Sequence, residues 1–197
     1  MTRSMLLVMA ALGAIGCVTS AEPAYYALAS TSGPPQPATW AHVVELRRPG
    51  LAGYLDRPDI VRRVVDYRLR LASGDRWAEP LGDMFGRVLA EDLTERLPGT
   101  SVFTEASAIS AVPDAVIEVE IERFDASADG TVTLLAQVLV EGGGDHRTIA
   151  SSTFDLQDHP AGADTESAVA TLSRLVGRLG DGIATLMRTP PAPSAAR

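Results

Sequence analysis

The side chains in this sequence that could carry chemistry are few: one cysteine (Cys17), three histidines (His42, His146 and His159), and the alternating carboxylates Glu118, Glu120 and Glu122. A protein metal site needs such groups at ligand spacing, for example two histidines one helical turn apart or a close cysteine pair. No two histidines are so spaced, and His146 and His159 each follow an aspartate in turn-like sequence. They read as solvated loop residues, so no metal or cofactor is expected. The Gly-x-Ser-x-Gly turn of an α/β-hydrolase nucleophile is absent. Gly142-Gly143-Gly144 lacks the following Lys-Ser/Thr of a phosphate loop and reads as a turn. The three glutamates share one strand face, which is also what a solvent-facing strand gives. A formal charge of −8 argues against a nucleic-acid partner, because phosphate neutralisation needs a basic surface. No enzymatic constellation remains.

Cys17 is different, because its position gives it a role. As the only cysteine it has no intramolecular disulfide partner. It follows a one-arginine start, an apolar run from Met5 to Leu12, and the small-residue exit Gly13-Ala14-Ile15-Gly16. That pattern is a secretory signal, and its apolar stretch is well short of the roughly 20 residues that span a bilayer. Ala14-Ile15-Gly16-Cys17 resembles a bacterial lipobox, although Ala14 stands where leucine is usual. The resemblance implies cleavage between Gly16 and Cys17 and covalent acyl chains on Cys17, palmitate among them. One chain binds a membrane only marginally, whereas two or three hold stably. Ordinary secretion, with cleavage after Ala21, is the alternative. Val18 follows the cysteine where an aspartate would signal inner-membrane retention, so by resemblance the outer membrane is favoured.

The elements that would display the remaining residues are legible from periodicity. Leu81, Phe85, Val88, Leu89, Leu93 and Leu97 form a helical stripe opened by Pro80 at the first helical position and closed by Pro98-Gly99. Val169, Leu172, Val176, Leu179, Ile183 and Leu186 form a second stripe, with Asp164 and Glu166 at its start. Ile117, Val119 and Ile121 alternate with the three glutamates. Val132 to Val140 and Ala150 to Leu156 supply two further alternating strands, and short turns make the three a meander. Shorter strands are expected at Tyr25–Leu28 and Trp40–Leu46, and Tyr67, Leu69 and Leu71 alternate with arginines. The fold class expected is α+β: a mainly antiparallel sheet with two amphipathic helices packed on one face. The expected organisation is a signal peptide over 1–16, a lipidated tether over 17–24, one domain over 25–188 and a disordered Pro-rich tail over 189–197. Ser30 to Pro37 reads as an exposed loop.

Charge is uneven. Arg47 to Arg76 holds eight arginines against four acids, and Trp77 to Glu166 four against eighteen. The basic segment reads either as solvated strand faces or as a contact for anionic head groups or an acidic partner.

Two phrases belong neither to a core pattern nor to a catalytic motif. They are Gly53-Tyr54-Leu55-Asp56-Arg57-Pro58, with an aromatic, an ion pair and a proline, and Arg76-Trp77-Ala78-Glu79-Pro80-Leu81. Together with Cys17, Tyr25 to Leu28 and the helix running to Leu97, they resemble the PqiC/YmbA-like lipoproteins, auxiliary components of ABC-type or MCE-type transport. The likeness extends from about Cys17 to Leu186. It implies a non-enzymatic outer-membrane lipoprotein on the periplasmic face. Its expected partner is an inner-membrane-anchored MCE-domain protein of a lipid transport system that supports envelope integrity. A ring-like homo-oligomer would suit such docking. Tyr54, Asp56, Arg57 and Trp77 become candidate partner contacts, with a turn, an internal salt bridge and a helix-start aromatic as the structural alternative. An assembly or folding factor for an outer-membrane component is the competing function.

Overall fold

The structure, a computed structural model, describes residues 22–37, 39–108, 111–144 and 146–190. Gly16, Cys17, the signal segment and the tail beyond Pro190 lie outside the described residues.

The sheet is organised on one long strand, β7 (Ala115–Ser127). Along one edge it pairs antiparallel with β8 (Val132–Gly142), which pairs antiparallel with β9 (Thr148–Asp158). Its other edge is occupied in turn by three short parallel strands, β2 (Val43–Leu46), β3 (Gly50–Leu51) and β4 (Asp59–Val65). The chain from Val43 to Val65 is thus one interrupted strand laid beside β7. Outside β2 lies β6 (Ser101–Thr104), parallel to it. Outside β4 lies β5 (Arg68–Trp77), antiparallel, and then β1 (Ala24–Tyr26), parallel to β5. The long ladders are antiparallel and the short ones parallel. The sheet is therefore mixed but mostly antiparallel, as expected.

A bulge between Ile121 and Arg123 adds one residue to β7, so Ile121 and Phe124 both face inward. Ile117, Val119, Ile121, Phe124 and Ala126 then lie opposite Val140, Val138, Ala136, Leu134 and Val132, and all ten are buried. Above this row sit α1 (Leu81–Arg96) and α2 (Thr165–Leu186), packed on each other, with α2 on β8 and β9. Phe85 of α1 meets Phe124 edge-on at 5.4 Å. The expected stripes are the buried ones, with Leu186 only half-buried.

Helix starts follow their chemistry. The Asp164 side chain caps α2, accepting from the Ser167 amide at 2.8 Å. Pro80 is one position earlier than expected. Its ψ of 126° is not helical, so it serves as the N-cap of α1, and its carbonyl accepts from Met84. The loop from Ser30 to Pro37 is irregular, as its prolines demand, but it is tied down. The Thr31 amide donates to Asp92 at 2.7 Å, and the Gln36 amide to the Arg96 carbonyl at 2.8 Å.

Candidate functional site

The two unusual phrases meet. A turn closed by the Leu55 amide on the Ala52 carbonyl (2.8 Å) leads into β4, and β5 returns antiparallel to put Trp77 beside it. The Trp77 amide donates to the Pro58 carbonyl at 2.7 Å, and Arg76 faces Asp59 at 3.7 Å. Asp56, Arg57 and Pro58 thereby share a groove of about 380 Å³ with Trp77, Glu79, Pro80 and Leu81. Trp77 is only 5% exposed and stacks toward Phe124 at 6.2 Å. It is wall and core at once. Glu79 is held by Arg87 at 2.5 Å.

The expected salt bridge between Asp56 and Arg57 is not formed. Both side chains are exposed, and neither has an ion-pair partner among the described residues. Neighbouring side chains on a bend diverge, and water solvates each better than a strained pair would. The groove therefore offers an apolar wall, two carboxylates and an uncommitted guanidinium. That set can hold a peptide segment; it provides no nucleophile and base within reach of each other.

Tyr54 leaves this groove and turns to the sheet face away from the helices. Its hydroxyl lies 3.1 Å from Asp125, a carboxylate with no solvent exposure. Arg63 donates to Asp125 at 3.0 Å and Arg123 at 3.1 Å, and the Arg63 guanidinium lies 6.0 Å from the Tyr54 ring centre. Burial, and then the Asp125 charge, raise the Tyr54 hydroxyl above its ordinary pKa, while the hydrogen bond to Asp125 raises Arg63. Tyr54 is thus a donor in a closed polar cluster behind the groove. Asp125 was not among the candidates read from sequence. Its signal was an acid flanked by Phe124 and Ala126, next to the bulge.

Much of the basic segment is spent internally. Arg47 pairs with Glu118, Arg48 with Asp83 at 2.6 Å, and Arg62 donates to the Thr165 hydroxyl at 2.9 Å. Arg57, Arg68 and Arg70 are exposed with no ion-pair partner among the described residues. The glutamate face is likewise partly engaged, with Glu122 accepting from Gln137. His42, His146 and His159 are exposed, and no group of metal-ligand residues forms among the described residues. No helix among those residues is long and apolar enough to cross a membrane.

Two solved structures share this fold. One uncharacterised protein superposes with a TM-score of 0.70 at 19% identity, covering 83% of this chain and 97% of its own. A Xanthomonas campestris protein gives 0.70 at 20% identity, covering 83% and 95%. A PelC dodecamer from Paraburkholderia phytofirmans gives 0.48 at 13% identity, covering 81% and 96%. No curated protein sequence matches the chain. The family model described as "ABC-type transport auxiliary lipoprotein component" matches residues 26–184, and the chain belongs to that family.

Proposed function

We propose that this lipoprotein is cleaved between Gly16 and Cys17, acylated on Cys17, and held on the periplasmic face of the outer membrane. There it acts without catalysis, docking an inner-membrane-anchored MCE-domain protein of a lipid transport system and so supporting envelope integrity. The groove of Asp56, Arg57 and Trp77 is the docking site, with Tyr54 bracing the turn from behind. The acyl chains fix one end and the groove engages the partner; a ring of copies around a tubular partner suits this task.

The observation that supports docking is the convergence of two phrases, about twenty residues apart, on one groove whose arginine is uncommitted. Arginine and tryptophan are the residue types most often found at binding hot spots. The test is crosslinking and capture from membranes of cells making the full acylated chain. Recovery of an MCE-domain protein is the expected result. Recovery of an outer-membrane protein and its folding machinery instead would favour an assembly factor. Cys17→Ser tests the anchor: the variant should remain unprocessed or soluble in the periplasm, and normal outer-membrane fractionation would overturn the assignment.

A further inference from the structure

Of the six exposed large apolar side chains among the described residues, four stand on the β4–β5 hairpin: Val65 (42% exposed), Tyr67 (94%), Leu69 (39%) and Leu71 (42%). Scattered exposed apolar residues are ordinary; a concentration on one hairpin marks a contact surface. Leu69 and Leu71 alternate with the unpaired Arg68 and Arg70. The tip is not a loose loop, because the Asp66 carbonyl accepts from Arg63 at 2.8 Å.

The direction of β1 says what this hairpin faces. β1 runs parallel to β5, with Ala24 beside Asp75 and Tyr26 beside Trp77. β1 therefore enters the sheet from the side of Gly74, the side on which β5 runs back to Arg68 and the hairpin tip. Among the described residues no strand covers β5 from Arg68 to Gly74 on that side. From Asp75 to Tyr67 is eight residues, about 26 Å at ~3.3 Å each. The seven residues Cys17 to Pro23 reach at most about 24 Å. An acyl group on Cys17 can therefore lie at the level of the tip.

We infer that the β4–β5 hairpin is a second membrane contact, seating Tyr67 and Leu69 at the phospholipid surface that holds the acyl chains, with Arg68 and Arg70 on lipid phosphates. This rests on the anchor reading of Cys17. The side-chain types fit a bilayer interface: tyrosine concentrates at head-group level, and arginine extends to the phosphates while its stem stays among apolar atoms. On a chain of net charge −8, Val65 to Leu71 carries two arginines against one acid. The contact would fix the tilt of the domain on the membrane, which an acyl anchor at one point alone cannot do.

The test uses the full acylated chain in phosphatidylethanolamine–phosphatidylglycerol vesicles. Acylation consumes Cys17, so a polarity-sensitive fluorophore can be placed through Asp66→Cys at the tip or Gly144→Cys at the far end of β8, where an added side chain meets open space. The tip label should be blue-shifted and quenched several-fold more by a lipid-borne quencher than the label at 144, while aqueous iodide shows the reverse order. Adding Tyr67→Ser and Leu69→Ser should return the tip label to water without loss of co-flotation. A co-floating chain whose tip label stays open to iodide overturns the proposal. So does a tip label shielded from both quenchers, which indicates a protein contact. A chain that fails to co-float at all sinks the anchor reading first and the hairpin contact with it.

Discussion

Arg96 near the end of α1 donates through Nε to Asp181 of α2 at 2.6 Å while only 2% of its side chain is exposed. The same guanidinium donates to the Thr31 carbonyl and to the Asp92 carbonyl, both at 3.0 Å. One buried cation therefore ties both helices to the N-terminal strap around Thr31. Replacing one partner of a buried pair leaves its counter-charges unpaired and costs about 3–5 kcal/mol. Arg96→Met should lower the unfolding free energy measured by denaturant titration by an amount in that range. Arg96→Lys should rescue little, since an ammonium cannot reach three separated acceptors. A melt within experimental error of the parent would show that the joint is dispensable.

Asp92 carries the opposite burden. It has no solvent exposure, and one of its carboxylate oxygens has no hydrogen-bond partner. Burial pushes its pKa from 3.8 up to about 6, against the lowering effects of the Thr31 amide and Arg96. A carboxyl raised on folding contributes stability that is full below its unfolded pKa and lost as pH rises through the folded one. The stability difference between the parent and Asp92→Asn should therefore fall as pH rises from about 4 to 7. The change is at most about 3 kcal/mol, from roughly two pKa units. Chemical denaturation at four pH values measures it, and a flat difference would mean that Asp92 titrates normally.

The second helix stripe gives a simpler expectation. Leu179 has no exposed surface and Leu172 only 2%. Leu179→Asp would bury an unpaired charge and cost several kcal/mol. Loss of the cooperative melt is the expected result, and an unchanged melting temperature would show that this helix face is not core.

What could be read from the sequence followed from repetition. The two helices present six apolar residues each at helical spacing, β8 five on alternate positions and β7 and β9 three each, so their existence and their inward faces were legible. β3 and β6 have two and four residues, too few for any period to show, and their parallel partners, β7 for β3 and β2 for β6, lie far away along the chain. The site divided for the same reason. The phrases around Arg57 and Trp77 stood out as departures from pattern, but their shared groove arises from the β4–β5 pairing. Asp125 was hidden because burying a carboxylate needs Tyr54, Arg63 and Arg123 from three places, and no local sequence rule sums such contributions.

That cluster is testable by double substitution. Tyr54→Phe removes a hydrogen bond to a charged group and should cost about 1.5–3 kcal/mol. Asp125→Ala leaves two partly buried guanidinium groups without their acceptor and should cost more. Because both act on one network, their effects should fall short of additivity by at least about 0.5 kcal/mol. Strict additivity in the denaturation cycle would show that Tyr54 does not depend on Asp125.

Arg57 separates docking from folding. Its side chain is exposed and has no ion-pair partner among the described residues, so reversing its charge removes no internal contact. Arg57→Glu should leave stability within about 0.5 kcal/mol of the parent, the usual range for surface substitutions. In the groove it would add a third carboxylate beside Asp56 and Glu79, which should repel any acidic segment the parent accepts. Capture of the membrane partner should then fall several-fold while outer-membrane fractionation stays normal. Arg57→Lys should retain most of the capture if charge alone matters, and lose it if the planar fork is used. Thermal stability and capture measured on the same preparations decide the matter: a drop in both would make Arg57 structural after all. Full stability with full capture would remove the groove from the docking surface and turn attention to the exposed glutamates of β7.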